Sequence, residues 1–133
     1  MGVSAEAQLN RKFIEFAKLL NIYLNHFPKH EKFALANRIR NTAYELHDHI
    51  TEGQKRYFKK TTLTALDIEH EKMRMQLHLA NELGYFAYKD GRTAGDPVKL
   101  AQHRYLAISA MVDELGKMIG GWIKKIKDEN QWK

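Results

Sequence analysis

The amino-acid sequence predicts an all-α protein, an antiparallel up-down-up-down four-helix bundle built from a single domain over residues 1–133. Three observations carry that prediction. Apolar residues recur every three or four positions in four separate runs, which lays each run along one face of a helix. No segment alternates convincingly with the period of two that a half-buried strand requires. The only prolines, Pro28 and Pro97, stand where helices can begin, so neither interrupts a run.

The elements follow in order. A first helix over about 6–26 carries Leu9, Phe13, Phe16, Leu20, Tyr23 and then Phe27. Pro28 disfavours helix at Phe27 and suits a first turn, which predicts a second helix over 29–53. Its apolar face is Ala36, Ile39, Ala43, Leu46 and Ile50, with Gly53 as a C-terminal cap. The threonines of "TTLT" offer N-caps for a third helix over 61–88, with Thr64 and Asp67 at capping-box spacing. That helix presents Leu63, Leu66, His70, Met73, Leu77 and Ala80. In "KDGRTAGDP" two glycines precede Asp96 as N-cap and Pro97 as first residue of a fourth helix, 97–127. Tyr105, Ile108, Val112, Leu115, Ile119, Trp122 and Ile126 form its stripe. Short joins make neighbouring helices antiparallel.

Several chemistries lack their raw material. The chain has no cysteine, which removes disulfides, thiolate metal sites and a thiol nucleophile. Ser4 and Ser109 are the only serines, and neither sits in a nucleophile elbow. Of the seven histidines, His70 stands three after Asp67, half of a di-iron spacing that needs a second pair, and none follows. His70 is therefore expected as a hydrogen-bonded boundary residue, while His26 and His30 flank a turn where protonation would favour phosphate. No catalytic residue, metal or cofactor is expected. No run of eighteen apolar residues exists, and "MGVSAEAQLN" lacks the regions of a signal peptide. Met1-Gly2 followed by Glu6 is a poor myristoylation signal. The expectation is a cytoplasmic protein with no membrane partner.

Charge is the informative property. Lys and Arg number 22 against 16 Asp and Glu, a formal +6, with an isoelectric point near 9.5. In "HFPKHEKFALANRIR" Lys29, Lys32, Arg38 and Arg40 face the single acid Glu31. On a helix the neighbours of a residue lie three and four positions away, and no acid occupies those positions for Lys32, Arg38 or Arg40. Glu45, Asp48 and Glu52 gather at the far end, opposite to the order the helix dipole prefers. A helix start enriched in cations attracts phosphate. A second segment, "QKRYFKK", interleaves Lys55, Arg56, Lys59 and Lys60 with Tyr57 and Phe58, a composition suited to phosphates and stacked bases. The alternatives are cross-helix ion pairs, a solubilising face, or an ordinary loop in which Glu52 pairs with Lys55 or Arg56. Lys124, Lys125 and Lys127 at a helix C-terminus need only the dipole to explain them.

"DELGKMIGGWIKKIK" places Gly116, Gly120 and Gly121 inside a helix, each costing about 1 kcal/mol relative to alanine. With Ser109 and Asp113 they make a stripe of short residues, a sign of close packing either within the chain or between subunits. Met111 and Met118 form a second stripe suited to the core or to an oligomer contact.

"FPKHEKFALANRIR" and "DELGKMIGGWIKK" resemble the signatures of the accessory variability protein of diversity-generating retroelements. The middle, "ITEGQKRYFKKTTLTALDIEHEKMRMQLHLANELGY", is similar to four-helix-bundle proteins encoded in 23S rRNA intervening sequences. The resemblance spans roughly residues 8–127. It implies a non-enzymatic subunit that assembles as a homopentameric barrel and binds the element's reverse transcriptase together with RNA and DNA, supporting mutagenic cDNA synthesis. It assigns Lys29, Lys32 and Arg38, with Arg40 adjacent, to the basic motif, and Gly116, Gly120, Gly121 and Trp122 to the glycine–tryptophan motif. Ala36 and Asn37 depart from the family pattern, and the connection around residues 85–105 is longer than usual. The rival readings are an RNA-associated bundle with no polymerase partner and a protein-only scaffold.

Overall fold

In the computed structural model, residues 4–133 are described; Met1 and Gly2, on which the lipidation reading rested, lie outside the described residues. Four long helices alternate in direction: α1 (Ala5–Asn25), α2 (Leu35–Lys55), α3 (Lys60–Glu82) and α4 (Pro97–Asp128). The apolar stripes read from the sequence are the core. Phe16, Ile39, Leu63, Leu66 and Ile108 are fully buried, and Phe13 packs against Phe16 with ring centroids 6.1 Å apart. His70 occupies the expected boundary, its Nε2 2.8 Å from the Val112 carbonyl of α4.

Capping follows local chemistry at two starts. The Ser4 hydroxyl accepts from the Ala7 amide at the head of α1, and the Asp96 carboxylate accepts from the Lys99 amide ahead of Pro97. Elsewhere the expected boundaries move. The second helix starts at Leu35 and not at residue 29, because Pro28 opens only a single 3-10 turn, Lys29–Glu31. The chain then breaks at Ala34, whose φ and ψ of −115° and −104° lie outside the helical region. Lys29 and Lys32 thus belong to the entry turn. Gly53 is not a cap either. The helix runs on to Lys55, and Gly53 is small because a Cβ there would lie 2.8 Å from the Trp122 ring and 3.0 Å from Leu63.

The threonines of "TTLT" lie within α3, which begins at Lys60. That helix ends at Glu82 and not at 88. Gly84, at φ +80°, turns the chain into a second 3-10 turn, Tyr85–Ala87. A two-stranded hairpin follows, β1 (Tyr88–Lys89) and β2 (Arg92–Thr93), with Lys89 opposite Arg92. Phe86 plugs the end of the core, edge-on to Tyr23 and Phe27.

Candidate nucleic-acid interface

The basic segment at the entry to α2 is assembled by its own acid. Glu31 Oε2 accepts from the Leu35 amide at 3.1 Å, capping the new helix, while Oε1 accepts the Tyr85 hydroxyl at 2.7 Å. The Tyr85 hydrogen bond, then the Leu35 amide, hold the Glu31 carboxyl below its ordinary pKa. The same bond, with burial and the carboxylate charge, raises that of Tyr85. The carboxylate of this segment is therefore spent on structure.

Arg40 is held without being neutralised. Its two terminal nitrogens donate to Asn21 Oδ1 at 2.7 Å and Asn25 Oδ1 at 2.6 Å across the α1–α2 seam. Neutral amides fix the guanidinium while leaving its charge available. Among the described residues, no carboxylate lies within ion-pair distance of Lys29, Lys32, Arg38 or Arg40. Lys32 and Arg38 are exposed. Beside them Phe33 is 93% exposed, an aromatic face with no packing partner in the core. Cross-helix pairing of these arginines with acids, an open alternative from the sequence, does not occur among the described residues.

The second basic segment divides. Lys59, expected as a phosphate contact, is buried. Its Nζ donates to the carbonyls of Gly53 and Arg56, groups that the end of α2 leaves without an intrahelical partner. A lysine used in this way is not available to a ligand. Arg56 is engaged as well, its Nε 2.7 Å from Glu52 Oε1 one turn earlier. Lys55 and Lys60 remain exposed, and Tyr57 and Phe58 pair edge-to-face at 4.8 Å. Only part of "QKRYFKK" is therefore open to solvent as a binding surface.

The glycine stripe divides too. A Cβ on Gly116 would meet the His70 ring at 2.7 Å, so this glycine admits His70 to the Val112 carbonyl. Gly120 and Gly121 face open space. Trp122 is an intrachain core residue, seated against Gly53.

Sequence reasoning missed Arg104, which is buried on α4. Its Nη1 donates to the Tyr88 carbonyl at 2.6 Å and its guanidinium lies 5.5 Å from the Tyr23 ring centroid. No local pattern marks it, since its partners are a loop carbonyl and a ring on another helix. The hairpin was missed although a signal existed: Asp-Gly between two candidate strand residues favours a two-residue turn.

Fold and surface together define a four-helix bundle with a short hairpin, whose entry to α2 carries cations without an ion-pair partner among the described residues. A family model described as bAvd-like matches residues 8–126. The chain belongs to that family, the accessory variability proteins. No curated protein matches it.

Proposed function

We propose that this chain is a non-catalytic subunit of a diversity-generating retroelement, binding the reverse transcriptase and its template RNA or cDNA through basic surfaces, in the cytoplasm. One observation carries the reading. At the entry to α2 Glu31, the one acid of that segment, is consumed by a helix cap and Tyr85, while Arg40 is oriented by two neutral asparagines. A protein needing these cations for stability would pair them with carboxylates; this arrangement presents their charge to a polyanion. Lys29, Lys32, Arg38 and Arg40 form the primary surface, with Lys55 and Lys60 a secondary one.

Self-assembly into a pentameric ring forms part of the reading. Two opposite sides of the bundle leave apolar residues uncovered: Ile14 and Tyr44 along the α1–α2 groove, Met75 and Leu79 on α3. Contacts between two different faces of the same chain generate a ring where the rotation closes, and Gly120 and Gly121 offer a further surface without side chains in the way.

Co-purification with the reverse transcriptase encoded beside it tests the partner. Titration of RNA at several salt concentrations tests nucleic-acid binding: four to six phosphate contacts give a log–log slope of about −3 to −5. A flat response removes nucleic acid and leaves a protein-only scaffold. Binding of RNA without capture of the polymerase favours the intervening-sequence type of bundle.

A further inference from the structure

The connection between α3 and α4 carries charge that neither its own fold nor the motifs above explain. The hairpin turn is Asp90-Gly91, with both residues at positive φ, 54° and 80°, the geometry of a tight two-residue hairpin turn. It sets Lys89 directly across from Arg92. Like charges opposed in a two-stranded ribbon are unfavourable, and both side chains are exposed. Among the described residues, neither has a carboxylate within ion-pair distance. Asp90, the acid between them, keeps its side chain 80% exposed; its Oδ1 lies 3.2 Å from His26 Nδ1, and its amide donates to the same nitrogen at 3.0 Å.

The ribbon is short but anchored. The Gly91 amide donates to the His26 carbonyl at 3.2 Å and the Ala94 amide to Ala87 at 3.0 Å. From α4, Arg104 holds the Tyr88 carbonyl. Gly91 rests on Lys29, leaving no room for a side chain at that contact. The hairpin is thereby locked against the basic entry turn of α2. On its other flank is a groove of about 450 Å³, in which Lys89, Lys99 and His103 stand among Ala94, Gly95 and Leu100, and the one acid, Asp96, caps α4. Lys99, like the hairpin cations, has no ion-pair partner among the described residues.

We propose that the hairpin is a clamp for a single strand of RNA, whose phosphates run from Lys99 and His103 in the groove, over Lys89 and Arg92, to Lys29. The inference rests on the nucleic-acid reading above and extends it to an element outside both basic motifs. A strand of spaced phosphates fits a groove and a ridge in succession, whereas a flat anionic membrane would meet the hairpin tip and leave the groove uncovered.

The test compares the unmodified protein with K89A/R92A, the charge-retaining K89R/R92K and the groove variant K99A, using a fluorescent single-stranded RNA across about 0.1–1 M salt. With about 0.7 log units per phosphate on single strands, K89A/R92A lowers the slope by about 1.4, which is about 25-fold in affinity at 0.1 M salt and nothing at 1 M. K89R/R92K restores the slope, and K99A lowers it by about 0.7. Far-UV circular dichroism and melting accompany each variant, and K99A, on a long helix, remains informative if the hairpin variant melts early. Unchanged slopes in K89A/R92A and K99A with normal RNA binding overturn the clamp and leave the nucleic-acid reading standing. If the unmodified protein binds no RNA, or binds phosphatidylserine vesicles in its place, both fail.

Discussion

Two basic segments that look alike in sequence end differently in the structure. The entry to α2, with Lys29, Lys32, Arg38 and Arg40, keeps its cations exposed or held by neutral amides. The α2–α3 turn, with Lys55, Arg56, Lys59 and Lys60, spends two of four on its own architecture. The difference lies in which backbone groups each end leaves unsatisfied. A helix start exposes N–H donors, which an acid such as Glu31 satisfies, so the lysines and arginines are left over. A helix end exposes carbonyls, and a lysine is the natural donor to them. Lys59, beside a helix end, is thus drawn inward, and the cations beside this helix start are not.

The largest test of this contrast is Lys59→Met. It leaves the Gly53 and Arg56 carbonyls without their donor, at a cost of about 2–3 kcal/mol. Urea denaturation should show that loss with RNA affinity unchanged; an unaffected midpoint would return Lys59 to the binding surface. Gly53→Ala should cost about 1–3 kcal/mol, since the new methyl meets the Trp122 ring at 2.8 Å. A thermal melt of that variant measures how firmly the same corner is packed.

Glu31 tests the other end through pH. Its carboxyl is depressed in the folded state relative to the ordinary 4.5. The unfolded chain therefore takes up the proton first on acidification. The stabilisation is complete above the ordinary value and is lost as pH falls through the depressed folded one. Denaturation between pH 2.5 and 6 should show a steeper decline for the native chain than for Glu31→Gln, which lacks this titration. Equal slopes would mean that the Tyr85 and Leu35 bonds do not persist in solution.

The smallest stability effect belongs to Arg38→Ala/Arg40→Ala. Losing two exposed hydrogen bonds to asparagine costs about 1 kcal/mol or less, while the salt dependence of RNA binding should become shallower by about 1.4. Calorimetry and light scattering separate the cases: unfolding, or a changed assembly state, would make these arginines structural and erase the contrast.

The local sequence carried the helical architecture because a 3.6-residue stripe is a property of neighbours along the chain. Phe13, Ile39, Leu66 and Ile119 could be assigned to the core with no knowledge of what they touch. The Asp96–Pro97 start of α4 was legible for the same reason, since a cap and its target amide are three residues apart. Boundaries were less secure wherever a distant group intervened. Pro28 suited a helix start, but the break at Ala34 moved the start of α2 to Leu35. Gly53 looked like a cap because nothing nearby announces Trp122, sixty-nine positions on.

The binding surface shows the same division. Composition and neighbour spacing determined that cations outnumber acids in "HFPKHEKFALANRIR" and that no acid within the helix offsets Lys32, Arg38 or Arg40. Which of them stay available was decided only by tertiary structure. Arg40 is held by asparagines on α1, Glu31 is claimed by Tyr85 beyond α3, and Lys59 is drawn inward by carbonyls. Charge is written residue by residue, but its neutralisation depends on partners that the fold brings from 15 or 54 positions away. Periodicity along one helix contains no record of them.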